Sequence, residues 1–251
     1  MDRKISDWGG NIVALVLVIA VNALANVLRF GGQTTGEVSA KYASLFTPAG
    51  FTFSIWSLIY LLLAAFVVYQ SMPGQRRDES LAAISPWFKA GCAANVLWMF
   101  TWHLEWIAVT LLLMAVLLIT LVRIYQLLDI VSASASAGAR WLVQLPFSVY
   151  LGWISVATIA NASALQSALG WNYALLEEVS WTLLKLAVAG AVAAIVMLRR
   201  RDVAFGLVVG WAAFGIGVGQ AATPAVAGAA FTLSLVILAV ASFEAVSRGF
   251  R

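Results

Sequence analysis

The chain has 251 residues, of which 63% are hydrophobic and only 10% are charged, and its formal net charge is +4. Soluble domains average about 45–50% apolar and about 25% charged residues, so this composition excludes an ordinary soluble enzyme and is typical of an integral membrane protein. The basic residues form no single patch, which argues against nucleic-acid binding. The chain has one cysteine and one histidine, which excludes an internal disulfide, a thiolate cluster and a metal site made of several histidines.

The apolar stretches predict an all-α membrane protein, an eight-helix transmembrane bundle, because a spanning helix needs roughly 20 mostly apolar residues. Turn signals set the predicted bounds at 10–29, 50–71, 86–103, 105–128, 140–165, 174–198, 203–220 and 225–247. The first stretch follows Arg3 and Lys4 without a clear cleavage site, so it is expected to be a retained helix and not a signal peptide. The seventh is short and rich in glycine, which predicts close packing or a half-helix.

The basic residues predict the orientation of these helices, because Lys and Arg accumulate in short cytoplasmic loops. With the N terminus inside, only Arg29 and Lys41 fall on the outer side. Twelve others fall on the inner side: Arg3, Lys4, Arg76, Arg77, Lys89, Arg123, Arg140, Arg199, Arg200, Arg201, Arg248 and Arg251. Both termini are therefore expected in the cytoplasm, and the expected location is the cell (inner) membrane of a bacterial type of cell.

The first outer connection, residues 30–49, is longer than two neighbouring helices need. By contrast, the next outer connection is only a tight turn at His103-Leu104-Glu105. Long connections in compact proteins often cover a binding site, so residues 30–49 are expected to act as a lid.

Three predicted helices carry aromatic and amide side chains at helical spacing. These stripes are Phe53, Trp56 and Tyr60 on the second helix, Asn95, Trp98 and Trp102 on the third, and Phe147, Tyr150, Trp153, Ala157 and Asn161 on the fifth. An amide in hydrocarbon is costly unless it is paired, so Asn95 and Asn161 are expected to face the bundle together with the rings beside them. Such stripes either line a pocket for a flat, largely apolar ligand or only pack helices together, and the spacing leaves both interpretations open.

At these stripes the sequence resembles the TspO/MBR family of tryptophan-rich sensory proteins, which are related to the mitochondrial translocator protein. Three motifs in register carry the resemblance: Phe46 to Phe53 leading to Trp56-Ser-Leu-Ile-Tyr60, then Asn95-Val-Leu-Trp98 with Trp102, then Pro146-Phe147 followed by Trp153, Ala157 and Asn161. The resemblance covers about residues 10–165. It divides the chain into a TspO-like five-helix core, 1–165, and an additional three-helix extension, 166–251.

The resemblance implies a receptor or sensor that binds a planar hydrophobic ligand, either a tetrapyrrole such as protoporphyrin or a sterol- or isoprenoid-like molecule. It places the pocket among the first, second, third and fifth helices, under the first outer connection. The implied ligand-binding residues are Phe53, Trp56, Tyr60, Asn95, Trp98, Trp102, Tyr150, Trp153, Ala157 and Asn161. No cofactor is required beyond such a bound tetrapyrrole. The expected partners are membrane lipid and the small-molecule ligand, with no nucleic acid, and homodimer formation stays open because the extension helices could cover the family's dimer surface.

Lys185 lies inside the sixth predicted helix, and an ionisable residue at that depth is a candidate functional group. It would bind a ligand carboxylate or couple ion movement, or its stem would snorkel toward the outer surface near Glu178 and Trp181. The alternative function is accordingly a membrane transporter of a small solute or lipid, with Lys185 and the extension on its path. The sequence shows no catalytic constellation and no metal-site motif, so an enzyme acting on a bound porphyrin or isoprenoid ranks last.

Overall fold

The computed structural model describes residues 3–130, 135–171 and 176–249, and every regular element in these ranges is helical. The α-helices are α1 Ile5–Val27, α2 Thr35–Lys41, α3 Ile55–Ser71, α4 Glu79–His103, α5 Ile107–Leu127, α6 Ala137–Ala139, α7 Leu145–Ala168, α8 Glu178–Arg200, α9 Val203–Gly219 and α10 Pro224–Gly249. A 3-10 turn, Gly50–Ser54, leads into α3, and a π-helical turn, Arg140–Gln144, joins α6 to α7. The predicted all-α bundle is confirmed.

The predicted helix bounds differ most from the structure at α4. The sequence pattern predicts a start at residue 86, whereas the helix begins at Glu79 and contains Pro86 within its length. Asp78 explains the earlier start, because its carboxylate accepts hydrogen bonds from the backbone N–H groups of Ser80 and Leu81 and so caps the first turn.

The chain is a multi-pass membrane protein. Six helical segments of the described residues are long and apolar enough to cross a bilayer, and α9 is an apolar helix of 17 residues. Their outer faces carry large apolar side chains that no other helix covers, including Val13, Leu61, Leu112, Ile195 and Leu235. Lipid is the solvent that such a surface requires, because an apolar belt of this extent in water would drive association.

The helices enclose an interior space between α1, α3, α4, α5 and α7. Here α4 packs against α1 and α5, α5 packs against α7, and α3 packs against both α1 and α7. The remaining long helices stand to one side, where α9 contacts α7, α8, α10 and the turn Gly50–Ser54. The division into a core, 1–165, and an extension, 166–251, stays a prediction, although α9 is in direct contact with core elements.

The glycines of α9 allow this close contact. A Cβ atom at Gly215 would lie 2.0 Å from Thr52 Oγ1, and one at Gly206 would lie 2.1 Å from Met197 Sδ. Neither position therefore has room for a side chain unless its neighbour moves. The sequence predicts either close packing or a half-helix for this segment. The structure shows close packing, because α9 is a continuous helix that is buried along most of its length.

A buried carboxylate fixes the start of α9 against the core. Asp202 is 3% exposed, and its oxygens accept hydrogen bonds from Tyr125 of α5 at 3.0 Å and Ser148 of α7 at 2.6 Å. The same side chain caps α9 by accepting from the Phe205 backbone N–H at 3.1 Å. One residue thus joins three helices at the end of the bundle opposite residues 30–49.

Candidate functional site

A partly open cavity of about 620 Å³ lies between the helices, directly under residues 33–50. Its lining comes from α1, α2, α3, α4, α5, α7, α9 and the segment that precedes α3. Small-molecule pockets in proteins are about 300–1,000 Å³, so the cavity has the size of a drug-like or cofactor-like ligand. None of the lining residues carries a charge, and most of the lining surface is apolar.

The cavity brings together eight of the ten residues predicted to bind a ligand: Phe53, Trp56, Tyr60, Trp98, Trp102, Trp153, Ala157 and Asn161. The other two, Asn95 and Tyr150, do not line it. They lie one helical turn before Trp98 and Trp153, farther from the lid, where the Asn95 side-chain amide donates to the Tyr150 hydroxyl at 3.0 Å and accepts from Asn22 at 2.9 Å. These two residues are hydrogen-bonded beside the cavity and do not line it.

The aromatic rings of the lining form two groups, each with one stacked pair. Trp56 stacks on Tyr60 with centroids 5.5 Å apart, and Trp98 stacks on Trp102 with centroids 5.3 Å apart. Trp153 meets Trp56 edge to face at 6.2 Å and Phe53 at 6.1 Å. Ring contacts of this kind hold the side chains in place, so the cavity presents preformed flat walls.

Three polar hydrogens of the lining have no acceptor within the part of the chain that the structure describes. They belong to the Tyr60 hydroxyl and to the indole N–H groups of Trp98 and Trp153, all buried. A buried donor left without a partner costs about 1–3 kcal/mol, and most such groups in proteins are satisfied. The three residues come from α3, α4 and α7, and all three line the cavity.

The predicted buried amide Asn161 lies on the same cavity. It is 4% exposed, and its side chain is hydrogen-bonded to the Thr110 hydroxyl of α5 at 2.9 Å. Asn22 and Asn26 of α1 also line the cavity. The polar part of the wall is therefore made of neutral amides, hydroxyls and indoles.

The lid, defined here as residues 30–49, covers the open side of the cavity. Its helix α2 begins with a capping box in which Thr34 accepts from the Glu37 N–H and Glu37 accepts from the Thr34 N–H. Gly31 at the start of the lid has a φ of +66°, and a Cβ there would lie 2.8 Å from the His103 carbonyl oxygen. The lid thus begins with a turn that requires glycine and continues as an ordered helix over the cavity.

A single carboxylate holds the lid to the turn between α4 and α5. Glu105 accepts hydrogen bonds from Gln33 at 2.9 Å and from the Tyr42 hydroxyl at 2.6 Å, and it forms a salt bridge with Lys41. These three contacts lower the pKa of Glu105 to about 2, Lys41 contributing most. The carboxylate is therefore charged at every physiological pH, and the latch that it forms does not depend on protonation.

Trp102 connects the lid to the aromatic wall. Its indole N–H donates to the Thr35 carbonyl oxygen at 3.1 Å, while its ring lines the cavity and stacks on Trp98. The Thr35 backbone N–H in turn donates to the Asn26 side chain at 3.1 Å. A change in the position of the lid would therefore act directly on one of the two stacked aromatic pairs.

Helix α9 fixes the other end of the lid and contributes to the cavity wall. The Ala49 N–H donates to the Gly215 carbonyl at 2.9 Å, and the Gln220 amide donates to the Thr47 carbonyl at 2.8 Å. Ala212 of the same helix lines the cavity together with Ile216. The family motifs end near residue 165, so they did not predict that α9 forms part of the wall. The glycines of residues 206–219 did indicate that this segment packs closely against its neighbours.

Lys185, the remaining predicted site residue, does not face the cavity. It lines a separate groove of about 490 Å³ between α5, α7 and α8, and its ammonium donates to Gln166 Oε1 at 2.6 Å. The groove and the cavity share no lining residue. Among the described residues, no three His, Cys, Asp or Glu side chains come close enough to hold a metal ion.

Comparison with known proteins adds one match. A family model described as TSPO-like protein matches residues 7–243, a range that begins in α1 and ends in α10. The match therefore includes the three helices beyond the motifs of residues 10–165. No curated protein and no solved structure matches the chain.

Proposed function

Because the chain belongs to the TSPO-like protein family, we propose that it is a membrane receptor or sensor that binds a planar hydrophobic ligand beneath the lid. The family match confirms the resemblance indicated by the three motifs. The observation that carries the proposal is the uncharged cavity of about 620 Å³, with two stacked aromatic pairs and three donors that lack acceptors. The rings would stack on the ligand, and the donors would orient it.

The chemistry of the lining favours a flat ligand with a largely apolar body and neutral acceptor atoms. A tetrapyrrole such as protoporphyrin meets this requirement, as does a sterol- or isoprenoid-like molecule. Charged groups are costly to bury without a partner, so the acidic groups of a tetrapyrrole are expected at the lid side of the cavity and not against α7. Ala157 leaves the space beside Trp153 that a flat molecule needs.

The proposal includes an eight-helix transmembrane topology with both termini in the cytoplasm. It is supported by the twelve basic residues on one side, against Arg29 and Lys41 on the side of the lid. A membrane-impermeant maleimide should label Leu104→Cys from outside intact cells and Gly74→Cys only after lysis, both in a Cys92→Ser background. Labelling of both positions from the same side would contradict the topology.

A fluorescence titration with protoporphyrin tests ligand binding. We expect saturable quenching of the purified protein, with the dissociation constant raised about tenfold or more in Trp98→Ala, since a stacked aromatic contact contributes about 0.5–1.5 kcal/mol beyond its area and the ring burial is lost as well. Trp141→Ala is the matched control, because Trp141 is exposed on the surface of the bundle and does not line the cavity. Absence of saturable quenching, or equal effects of the two variants, would count against the proposal.

The alternative of a membrane transporter that uses Lys185 stays a prediction. Lys185 lies in the separate groove, so the structure offers the cavity and this lysine as two sites and not as one path. Solute uptake into proteoliposomes that is abolished by Lys185→Met and unchanged in Trp98→Ala would favour the transporter over the receptor.

A further inference from the structure

The groove that contains Lys185 is an opening on the far side of α7 from the ligand cavity. Ala157 and Asn161 face the cavity, whereas Thr158 and Ala162 face the groove. Helices α7 and α8 both pack against α9, and between them and α5 the groove has a volume of about 490 Å³. Any ligand of this groove is therefore independent of the ligand beneath the lid.

The floor and rims of the groove are apolar and continue into the lipid-facing surface. On α8, Leu184 and Val188 line the groove and are exposed, and Leu169 is exposed at the end of α7. Leu111 of α5 closes the third side. Since the chain is a multi-pass membrane protein, the hydrocarbon chains that meet these side chains are those of membrane lipids.

One end of the groove carries a single positive charge. Lys185 lies seven residues after Glu178, the first residue of α8, which corresponds to about 10 Å along the helix axis. Within residues 3–130, 135–171 and 176–249, no carboxylate forms a salt bridge with it, and its ammonium is bound by the Gln166 amide oxygen. Glu178 at the start of α8 attracts this lysine electrostatically without contacting it. A charged group within a membrane helix is costly, and an anion bound directly to the ammonium would offset more of that cost.

Two tryptophans complete the polar end. Trp171 and Trp181 meet edge to face with centroids 6.5 Å apart, and both line the groove. The buried indole N–H of Trp181 has no acceptor among the residues that the structure describes. Because side chains on a helix tilt toward its N terminus, the Lys185 ammonium is directed to the level of Trp181, so a cation and an indole donor lie at the same depth.

We infer that this groove is a binding site for an anionic phospholipid. The phosphate would accept from the Lys185 ammonium and the Trp181 indole, and one acyl chain would lie along Leu184, Val188 and Leu111. The match is one of charge and of shape, because a lysine that forms no salt bridge within the described part of the chain lies at the end of an apolar groove that opens to lipid. A lipid with a zwitterionic headgroup carries a cation of its own beside the phosphate and is bound less tightly.

Native mass spectrometry of the detergent-purified full chain tests the inference with phosphatidylglycerol and phosphatidylcholine of identical acyl chains. We expect the wild type to retain phosphatidylglycerol at least fivefold better than phosphatidylcholine. Lys185→Met should abolish this preference, and Lys185→Arg should keep most of it. Lys89→Met is the matched control, because Lys89 is a half-buried lysine of α4 whose ammonium donates to the Ser6 carbonyl and which does not line the groove.

Three outcomes would overturn the inference. Equal retention of the two lipids by the wild type excludes an anion-selective site, and this result needs no variant. A preference that persists in Lys185→Met places the lipid elsewhere. A preference reduced equally by Lys185→Met and Lys89→Met reflects overall charge and not a site. None of these measurements involves the cavity under the lid, so they can fail while protoporphyrin binding succeeds.

Discussion

At the scale of single residues, the most informative groups are the indole N–H donors of Trp98 and Trp153. Each ring is held by aromatic neighbours, yet each donor lacks an acceptor within the described residues. If a tryptophan only packs helices, loss of its N–H should not change ligand affinity. If it binds the ligand, loss of the N–H removes a hydrogen bond to the ligand. The indole N–H therefore distinguishes packing from binding.

Trp153→Phe should leave the fold intact and weaken protoporphyrin binding about three- to tenfold, because a neutral hydrogen bond contributes about 0.5–1.5 kcal/mol. The smaller phenyl ring also leaves space at a side chain that is 4% exposed, and this loss of packing offsets the gain from removing an unpaired donor, so the melting temperature of the ligand-free protein should change little. Fluorescence titration and thermal unfolding measure the two effects, with Trp141→Phe as the control. An unchanged dissociation constant in Trp153→Phe would mean that this donor does not contact the ligand.

At the scale of elements, the lid is held at several points, among them the Glu105 carboxylate and helix α9. The pKa of Glu105, which is lowered from 4.5 to about 2, determines how the latch responds to pH. A carboxylate whose pKa is lowered in the folded protein contributes its full stabilisation at any pH above its ordinary pKa. That stabilisation is lost only as the pH falls through the lowered pKa. The latch should therefore be constant from pH 5 to 8.

Glu105→Gln removes the charge that holds Lys41 and should increase amide hydrogen exchange in residues 33–42 about fivefold or more. The matched control is Glu79→Gln at the exposed start of α4, which should leave lid exchange unchanged. Exchange of the wild-type lid should not vary with pH between 5 and 8 after correction for the intrinsic rate. A lid equally protected in Glu105→Gln, or one that opens between pH 8 and 5, would contradict the role given to Glu105.

A change in the packing of helix α9 at Gly215 should affect the lid and ligand binding. An added methyl group there meets Thr52 and must displace the turn that leads into α3, and overpacking of this kind costs about 1–3 kcal/mol. Gly215→Ala should lower the melting temperature and weaken protoporphyrin binding together. Gly228→Ala in α10 is the control, since a Cβ there meets nothing within 4 Å, and it should be neutral or stabilising. Identical behaviour of the two variants would show that α9 is not coupled to the site.

At the scale of the whole molecule, the sequence predicts the helical bundle, the lid and most of the cavity wall, because hydrophobic runs and i, i+3, i+7 spacing are local signals. The exceptions depend on long-range contacts that no local pattern determines. Asn95 and Tyr150 share stripes with lining residues but lie one turn farther from the lid, where the Asn95 amide donates to the Tyr150 hydroxyl. Asp202 resembles an ordinary loop residue until α5 and α7 bring Tyr125 and Ser148 to its oxygens.

The direct test of the central claim is to fill the cavity from within. Ala157 lines the cavity and Ala162 lines the separate groove on the other side of α7, so the same substitution at both positions compares the two faces of one helix. Equilibrium titration with protoporphyrin should show saturable binding to the wild type and to Ala162→Phe, and loss of at least tenfold in affinity for Ala157→Phe. Undiminished binding by Ala157→Phe, with both variants folded, would contradict a ligand site beneath the lid.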